Sequence, residues 1–190
     1  MTTTATARSD PEPARHGVTG GRLLPGIAVA AGVLLLDQAT KALASALLMP
    51  PAGGPITVTP FFDLRLGYNR GVAFGLLATD HPAAPWALST LAVLVVALLL
   101  AWMRRAPDVP ERLALGLAVG GALGNVVDRA RQGMVTDFLD FHVAGWHWPA
   151  FNIADGAIVL GAAILVGHSL LAPGRRAADR GDGGGPSPEP

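Results

Sequence analysis

The residues WALSTLAVLVVALLLAWM at positions 86–103 decide the fold class, because these 18 positions contain no charged side chain. A helix of about 20 apolar residues crosses a hydrocarbon core of about 30 Å. We therefore expect a transmembrane helix here. Composition agrees, since 51% of the 190 residues are hydrophobic and only 15% are charged, against about 25% charged residues in soluble domains.

Three further apolar segments accompany this one. Together with residues 86–103 they predict an all-α membrane protein with four transmembrane helices in one domain. The additional segments are Leu23–Leu48, Leu113–Val127 and Ile153–Ala172.

The first segment has an alternative interpretation as a cleaved secretory signal peptide, because Ala42–Ala46 offers small residues for cleavage. However, the apolar run is long and contains Asp37 and Lys41. An ordinary signal core lacks such charges. We therefore interpret this segment as an uncleaved first helix.

Basic residues predict the orientation of the four helices. Nine arginines fall before Leu23, in the 104–112 segment or after residue 172, and four fall in the 49–85 and 128–152 loops. This asymmetry places both termini in the cytoplasm and both loops outside.

Residues 1–20 and 173–190 are rich in small and polar residues, proline or glycine. We expect them to be disordered cytoplasmic tails of the 21–172 membrane domain.

The loop at about 50–85 has a strand-like composition in two places, Ile56–Thr59 and Phe61–Leu66. Prolines and glycines separate these runs. They predict a small extracytoplasmic β-sheet between helices 1 and 2. An ordered but irregular loop is the alternative.

Several classes of site are excluded or disfavoured. The chain has no cysteine, which excludes disulfides, thiolate metal sites and a cysteine nucleophile. A net charge of zero gives no reason to expect a nucleic-acid partner. His142, His147 and Asp140 can in principle bind a metal, but their loop also holds Trp146 and Trp148, which is typical of a membrane interface. We expect no metal and no cofactor.

Charges inside predicted spans are costly in lipid and usually functional. Asp37 and Lys41 are four residues apart and share one helix face. Two interpretations stay open for them: they line or orient an active site, or they form a structural ion pair.

The third segment combines glycines at every fourth position over residues 116–124 with polar residues at its end. Small residues at this spacing let helices approach closely. They do not explain Asn125, Asp128 and Arg129. Asn125 and Arg129 are four apart and can face inward together, whereas an interfacial helix cap with a snorkelling arginine is the alternative.

Asp137 and Asp155 are the candidate catalytic pair. Asp137 lies among apolar residues, a setting that raises a carboxyl pKa, and Asp155 lies at the outward end of the fourth segment. Two aspartates that share a proton can activate water and protonate a carbonyl group. Asp140 is close in sequence, but we assign it no catalytic role. The residues alone leave open whether the pair meets.

Four motifs resemble the signature of the lipoprotein signal peptidases (signal peptidase II) over about residues 25–170. Residues 37–41, DQATK, resemble D-Q-x-T-K, and residues 69–75, NRGVAFG, resemble N-x-G-A-A-F-G. GNVVDR at 124–129 with GMVTDF at 133–138 resembles G-N-x-x-D-R…G-x-V-x-D-F. FNIAD at 151–155 resembles F-N-x-A-D. Val72 departs from the second of these segments, which commonly has the smaller alanine at this position.

The resemblance implies a membrane aspartic endopeptidase that removes signal peptides from prolipoproteins by cleaving before the diacylglyceryl-modified lipobox cysteine. It implies a metal-free pair at Asp137 and Asp155. Other signature positions, expected to bind substrate or support the site, are Asp37, Lys41, Asn69, Gly71, Asn125, Asp128, Arg129, Asn152 and Ala154.

The resemblance also implies a bacterial cytoplasmic (inner) membrane location, with the active site toward the outer face and a β-sheet cradle outside the bilayer. The expected partners are diacylglyceryl-prolipoproteins and membrane lipids, and we expect a monomer. Two other functions remain possible from the residues: a small transporter with a relay through Asp37, Lys41, Asp128 and Asp155, or a chaperone that binds lipidated proteins without cutting them.

Overall fold

A computed structural model has four long helices at the four apolar segments. The structure describes residues 20–49, 53–71 and 83–171. The helices are α1 (Gly20–Leu48), α2 (Ala84–Arg105), α3 (Val109–Gln132) and α4 (Ile153–Leu171). Each is long and apolar enough to cross a membrane, which confirms the predicted four-span fold. Val72 and, apart from Gly20, both predicted tails lie outside the described residues.

Helix α3 is longer at both ends than the predicted span of residues 113–127. Its N-cap is Asp108, whose side chain accepts a hydrogen bond of 3.1 Å from the backbone N–H of Glu111. It ends at Gly133, which takes the left-handed conformation with φ of 74°. Asp128 and Arg129 therefore lie within the last turns of the helix and can point into the helix bundle.

Helix α3 is the centre of the bundle and contacts each of the other three helices. The predicted close approach through its glycines is confirmed. A Cβ atom on Gly120 would overlap the carbonyl oxygen of Ala30 in α1, and one on Gly124 would overlap the Asp37 carboxylate. The glycine spacing thus brings the charged face of α1 against the polar end of α3.

The predicted sheet between helices 1 and 2 is present and is larger than expected. Strands β1 (Ile56–Thr59) and β2 (Phe62–Asn69) match the two strand-like runs. Strands β3 (Val135–Val143) and β4 (Trp146–His147) come from the chain between α3 and α4, where no strand was predicted. The four strands form one antiparallel sheet in the order β1-β2-β3-β4, which we call the cradle.

The cradle is fixed to the helices at β3. Phe138 packs with Ala44 and Leu48 at the end of α1 in one buried apolar cluster. Leu139 forms a bridge with Phe151, just before α4 begins. This packing places Asp137, which follows α3 by only a few residues, beside the first turn of α4.

Candidate active site

Asp137 and Asp155 are both held by the buried side chain and backbone of Asn152. The Nδ2 group of Asn152 donates to Asp137 Oδ1 at 2.7 Å, and its backbone N–H donates to Asp155 Oδ2 at 3.3 Å. Asn152 itself is 0% exposed. Two carboxyl groups from a strand and a helix therefore converge on one residue, which the sequence had left open.

The start of α4 explains the position of Asp155. Asn152 precedes the first helical residue, Ile153, and its Oδ1 accepts the N–H of Asp155 at 3.0 Å. The Asp155 carboxylate accepts the N–H of Asn152 in return. This reciprocal pair is a capping box, which satisfies two free N–H groups at the helix start. The positive end of the helix dipole also favours a carboxylate there.

Asp137 has a strongly perturbed acidity. Burial first, and then the nearby charge of Asp155, raise its pKa to about 7. Hydrogen bonds from Asn152 and Asn69 and the charge of Lys41 oppose this rise. Asp137 therefore binds and releases a proton near neutral pH, as a general acid or base requires.

Lys41 is the centre of a second buried group behind the two aspartates. Its Nζ lies 2.9 Å from Asp37 Oδ2 and 3.0 Å from Asp128 Oδ2. It also donates to Asn125 Oδ1 at 3.0 Å, and Asn125 Nδ2 donates to Asp155 Oδ1 at 2.8 Å. The two interpretations of Asp37 and Lys41 thus combine, because their ion pair also connects to the candidate active site.

The remaining predicted residues lie in or beside the same network. The N–H of Ala154 donates to Asp37 Oδ1 at 2.9 Å, which ties α1 to α4. Arg129 donates from Nη2 to the carbonyl oxygen of Gly71 at 2.7 Å. Asn69 Oδ1 accepts the N–H of Gly71 at 2.8 Å, which orders the end of β2 next to Arg129.

Two residues of this network were missed in the sequence. Gln38 donates to Asp128 Oδ1 at 3.0 Å and to the carbonyl oxygen of Gly124 at 3.2 Å. Thr136 uses its backbone, donating to Asp128 Oδ2 at 3.0 Å and accepting from Asn152 Nδ2 at 3.2 Å. Gln38 stands inside the quoted DQATK motif and could have been found. A backbone role such as that of Thr136 leaves no signal in residue type.

Asp140 makes contacts distinct from those of Asp137. It lies 2.9 Å from His147 Nδ1 and 3.9 Å from Arg65 Nη1. His142 instead lies 3.3 Å from Asp63. The two histidines therefore belong to separate pairs, and the described residues contain no group of three or more potential ligands able to hold a metal ion.

An apolar cavity of about 500 Å³ opens beside Asp155. Asn69 also lines it, so it reaches both the cradle and the candidate active site. Its other lining residues come from α4 and the segment before it: Trp148, Pro149, Ala150, Phe151, Gly156, Val159, Leu160 and Ala163.

Comparison with known proteins gives one consistent family. The sequence model of signal peptidase (SPase) II matches residues 29–171. A lipoprotein signal peptidase of Burkholderia mallei is 49% identical over 156 residues, covering 80% of this chain and 91% of the relative. One from Paraburkholderia phymatum is 46% identical over 153 residues, covering 80% and 90%. A bacterial membrane enzyme solved by the in meso method at 2.3 Å has a TM-score of 0.66 and 25% identity, covering 85% of this chain and 94% of that one.

Proposed function

The chain belongs to the signal peptidase II family, and from this membership we propose that it is an aspartic endopeptidase with Asp137 and Asp155 as its catalytic pair. The family is one of membrane proteases that remove signal peptides from prolipoproteins. The bond cleaved in our proposal precedes a diacylglyceryl-modified cysteine. Because the chain belongs to a peptidase family, we assign the buried charges to a peptidase site and not to the relay of a transporter.

The contact of both carboxyl groups with Asn152 is the observation that supports this proposal best. A pKa of about 7 for Asp137 fits a pair that carries one proton at neutral pH. Asp155 accepts hydrogen bonds from Asn125 and from the backbone of Asn152, which suits the ionised member of such a pair.

In the proposed reaction Asp155 removes a proton from water as the water oxygen attacks the scissile carbonyl carbon. Asp137 gives its proton to the carbonyl oxygen, so the intermediate is a neutral diol. Asp155 then passes its proton to the amide nitrogen, and the C–N bond breaks. The diol returns a proton to Asp137. The products are the free signal peptide and the amino group of the lipidated cysteine, and both carboxyl groups regain their starting states.

Substrate placement follows from the apolar cavity beside Asp155. Apolar parts of a lipidated substrate gain about 0.8 kcal/mol for each CH₂ group removed from water. Among the described residues, Nε of Arg129 is buried and lacks a hydrogen-bond partner. We assign it to a substrate carbonyl group, and we assign Asn69, which lines the cavity, to the same substrate backbone.

The proposed topology places both termini in the cytoplasm and the cradle outside the inner membrane. The cradle strands lie between α1 and α2 and between α3 and α4, and the α2–α3 connection lies at the other end of the bundle. The arginine asymmetry supports this direction. We propose that one chain suffices for activity, because both carboxyl groups and the cavity belong to it.

Cleavage of a synthetic lipidated prolipoprotein peptide by purified protein tests the proposal. Asp137→Asn and Asp155→Asn should each lower kcat by about 10²–10⁴-fold, because each removes a proton-transfer group. Asp140→Asn is the matched control on the same strand and should keep most activity. Full cleavage by either of the first two variants would disprove the assignment, and substrate binding without cleavage by the wild type would favour the chaperone interpretation.

A further inference from the structure

A second cavity, of about 310 Å³, lies at the seam between α1 and α3. We call it the polar pocket. Its lining includes Gln38, Lys41, Ser45, Gln132 and Thr136. Arg131 also lines it and is exposed, so the pocket reaches the surface. None of its lining residues lines the apolar cavity beside Asp155. The candidate active site thus lies between two separate cavities of opposite character.

The inner wall of the polar pocket is one residue away from each catalytic carboxyl group. Lys41 donates to Asn125, and Asn125 donates to Asp155. The Thr136 carbonyl accepts from Asn152 Nδ2, which also donates to Asp137. The wall is therefore connected to Asp155 through the amide of Asn125 and to Asp137 through the amide of Asn152.

The polar pocket is unsuited to a charged ligand. The Lys41 ammonium group already contacts Asp37, Asp128 and Asn125, so its three donors are used. The Asp128 carboxylate in the wall is paired with Lys41 and accepts from Gln38 and the Thr136 N–H. It therefore offers no free charge to a cation, which Lys41 and Arg131 would repel. Water is the ligand that fits, because a polar cavity of this size gives it the two to four hydrogen-bond partners that it needs.

Peptide hydrolysis consumes one water per turnover, and a lipidated substrate would fill the apolar cavity with hydrocarbon. We propose that the polar pocket is the water entry of the enzyme, which supplies the aspartate pair from the α1–α3 side while substrate occupies the other side. This inference rests on the proposed peptidase function.

The absence of cysteine from the chain allows a direct test. Ser45→Cys places a thiol in the wall of the polar pocket, and Ala46→Cys places one on the exposed neighbouring position outside it. Both variants are reconstituted in liposomes and treated with a positively charged, membrane-impermeant methanethiosulfonate. Thiols react as thiolates, which form in water and not in lipid. Ser45→Cys should therefore react faster than Ala46→Cys, also when a non-cleavable lipidated peptide saturates the protein.

The effect on turnover is measured on each variant before and after labelling. The bulky label on Ser45→Cys should lower kcat by about tenfold with little change in KM, because it blocks water and leaves substrate binding intact. A small methylthio label at the same position should lower kcat less. Equal reaction rates at the two positions, or an unchanged kcat after full labelling of Ser45→Cys, would overturn the inference. Failure of the unlabelled wild type to cleave would instead contradict the proposed function, and the labelling rates would still test whether the pocket holds water.

Discussion

Replacing Lys41 with methionine would remove the only ammonium group of the buried network while keeping a long apolar side chain. Lys41 is 4% exposed and contacts the carboxylates of Asp37 and Asp128 at 2.9 and 3.0 Å. Removing one partner of a buried ion pair costs about 3–5 kcal/mol, because the remaining charge is desolvated without compensation. For a chain of this size the same free energy lowers Tm by about 6–20 °C.

The measurement is thermal unfolding in detergent micelles, followed by tryptophan fluorescence. Lys41→Met combined with Asp128→Asn is the matched variant, because it removes the cation together with one of its carboxylates. The double variant should be more stable than the sum of the two single changes predicts, with a coupling of about 0.5–3 kcal/mol. Asn125 is expected to keep its contact with Asp155 in this variant, since that contact uses Nδ2 and not the oxygen that Lys41 binds.

The same substitution also changes the pH dependence of cleavage. The charge of Lys41 lowers the pKa of Asp137, so its loss should raise that pKa above about 7 and move the alkaline limb of kcat to higher pH. An unchanged Tm together with an unchanged alkaline limb would refute the role assigned to Lys41. A lower Tm with an unchanged limb would limit that role to holding the helices together.

Two further outcomes follow from the geometry of the site. The proposed reaction uses Asp137 in its protonated form. Because its pKa is about 7, kcat of the wild type should fall about tenfold per pH unit above neutrality, and a flat profile to pH 9 would contradict this assignment. Gly124→Ala should lower Tm and cleavage together, because the new methyl group would overlap a side-chain carboxylate of α1. Gly32→Ala is its control, since a Cβ there meets nothing within 4 Å, and similar losses in both variants would exclude this close contact as the cause.

The helices could be predicted from the sequence because transfer into lipid depends on composition and length, which are local properties. Residues 86–103 alone indicate a span, and the glycines of α3 indicate where another helix approaches. The predicted α3 was too short because Asp128 and Arg129 were interpreted as the edge of the membrane. In the structure both are buried within the helix, where Lys41 and Gly71 give them partners.

Strands β3 and β4 could not be predicted in the same way. The run Val135–Val143 carries Asp137 and Asp140 among its apolar residues, and a strand of this pattern is favoured only when its partners are known. Those partners are distant in sequence, since Asp137 lies opposite Gly67 and Asp140 opposite Asp63 in β2. The two catalytic candidates converge because β3 also packs on α1 and bridges Phe151 just before α4. The packing on α1 is likewise distant in sequence, so the residues could be predicted and their contact could not.

The amide side chains of Asn125 and Asn152 connect charged groups of the site without a direct ion pair between them. An amide accepts at its oxygen and donates at its nitrogen. Asn125 can therefore bind the Lys41 ammonium and the Asp155 carboxylate at once, at 3.0 and 2.8 Å. The cation stays paired with Asp37 and Asp128, and its charge acts through space on the proposed catalytic pair. A direct contact of Lys41 with either Asp137 or Asp155 would hold that carboxylate ionised, whereas the proposed reaction needs each of them to take up and release a proton.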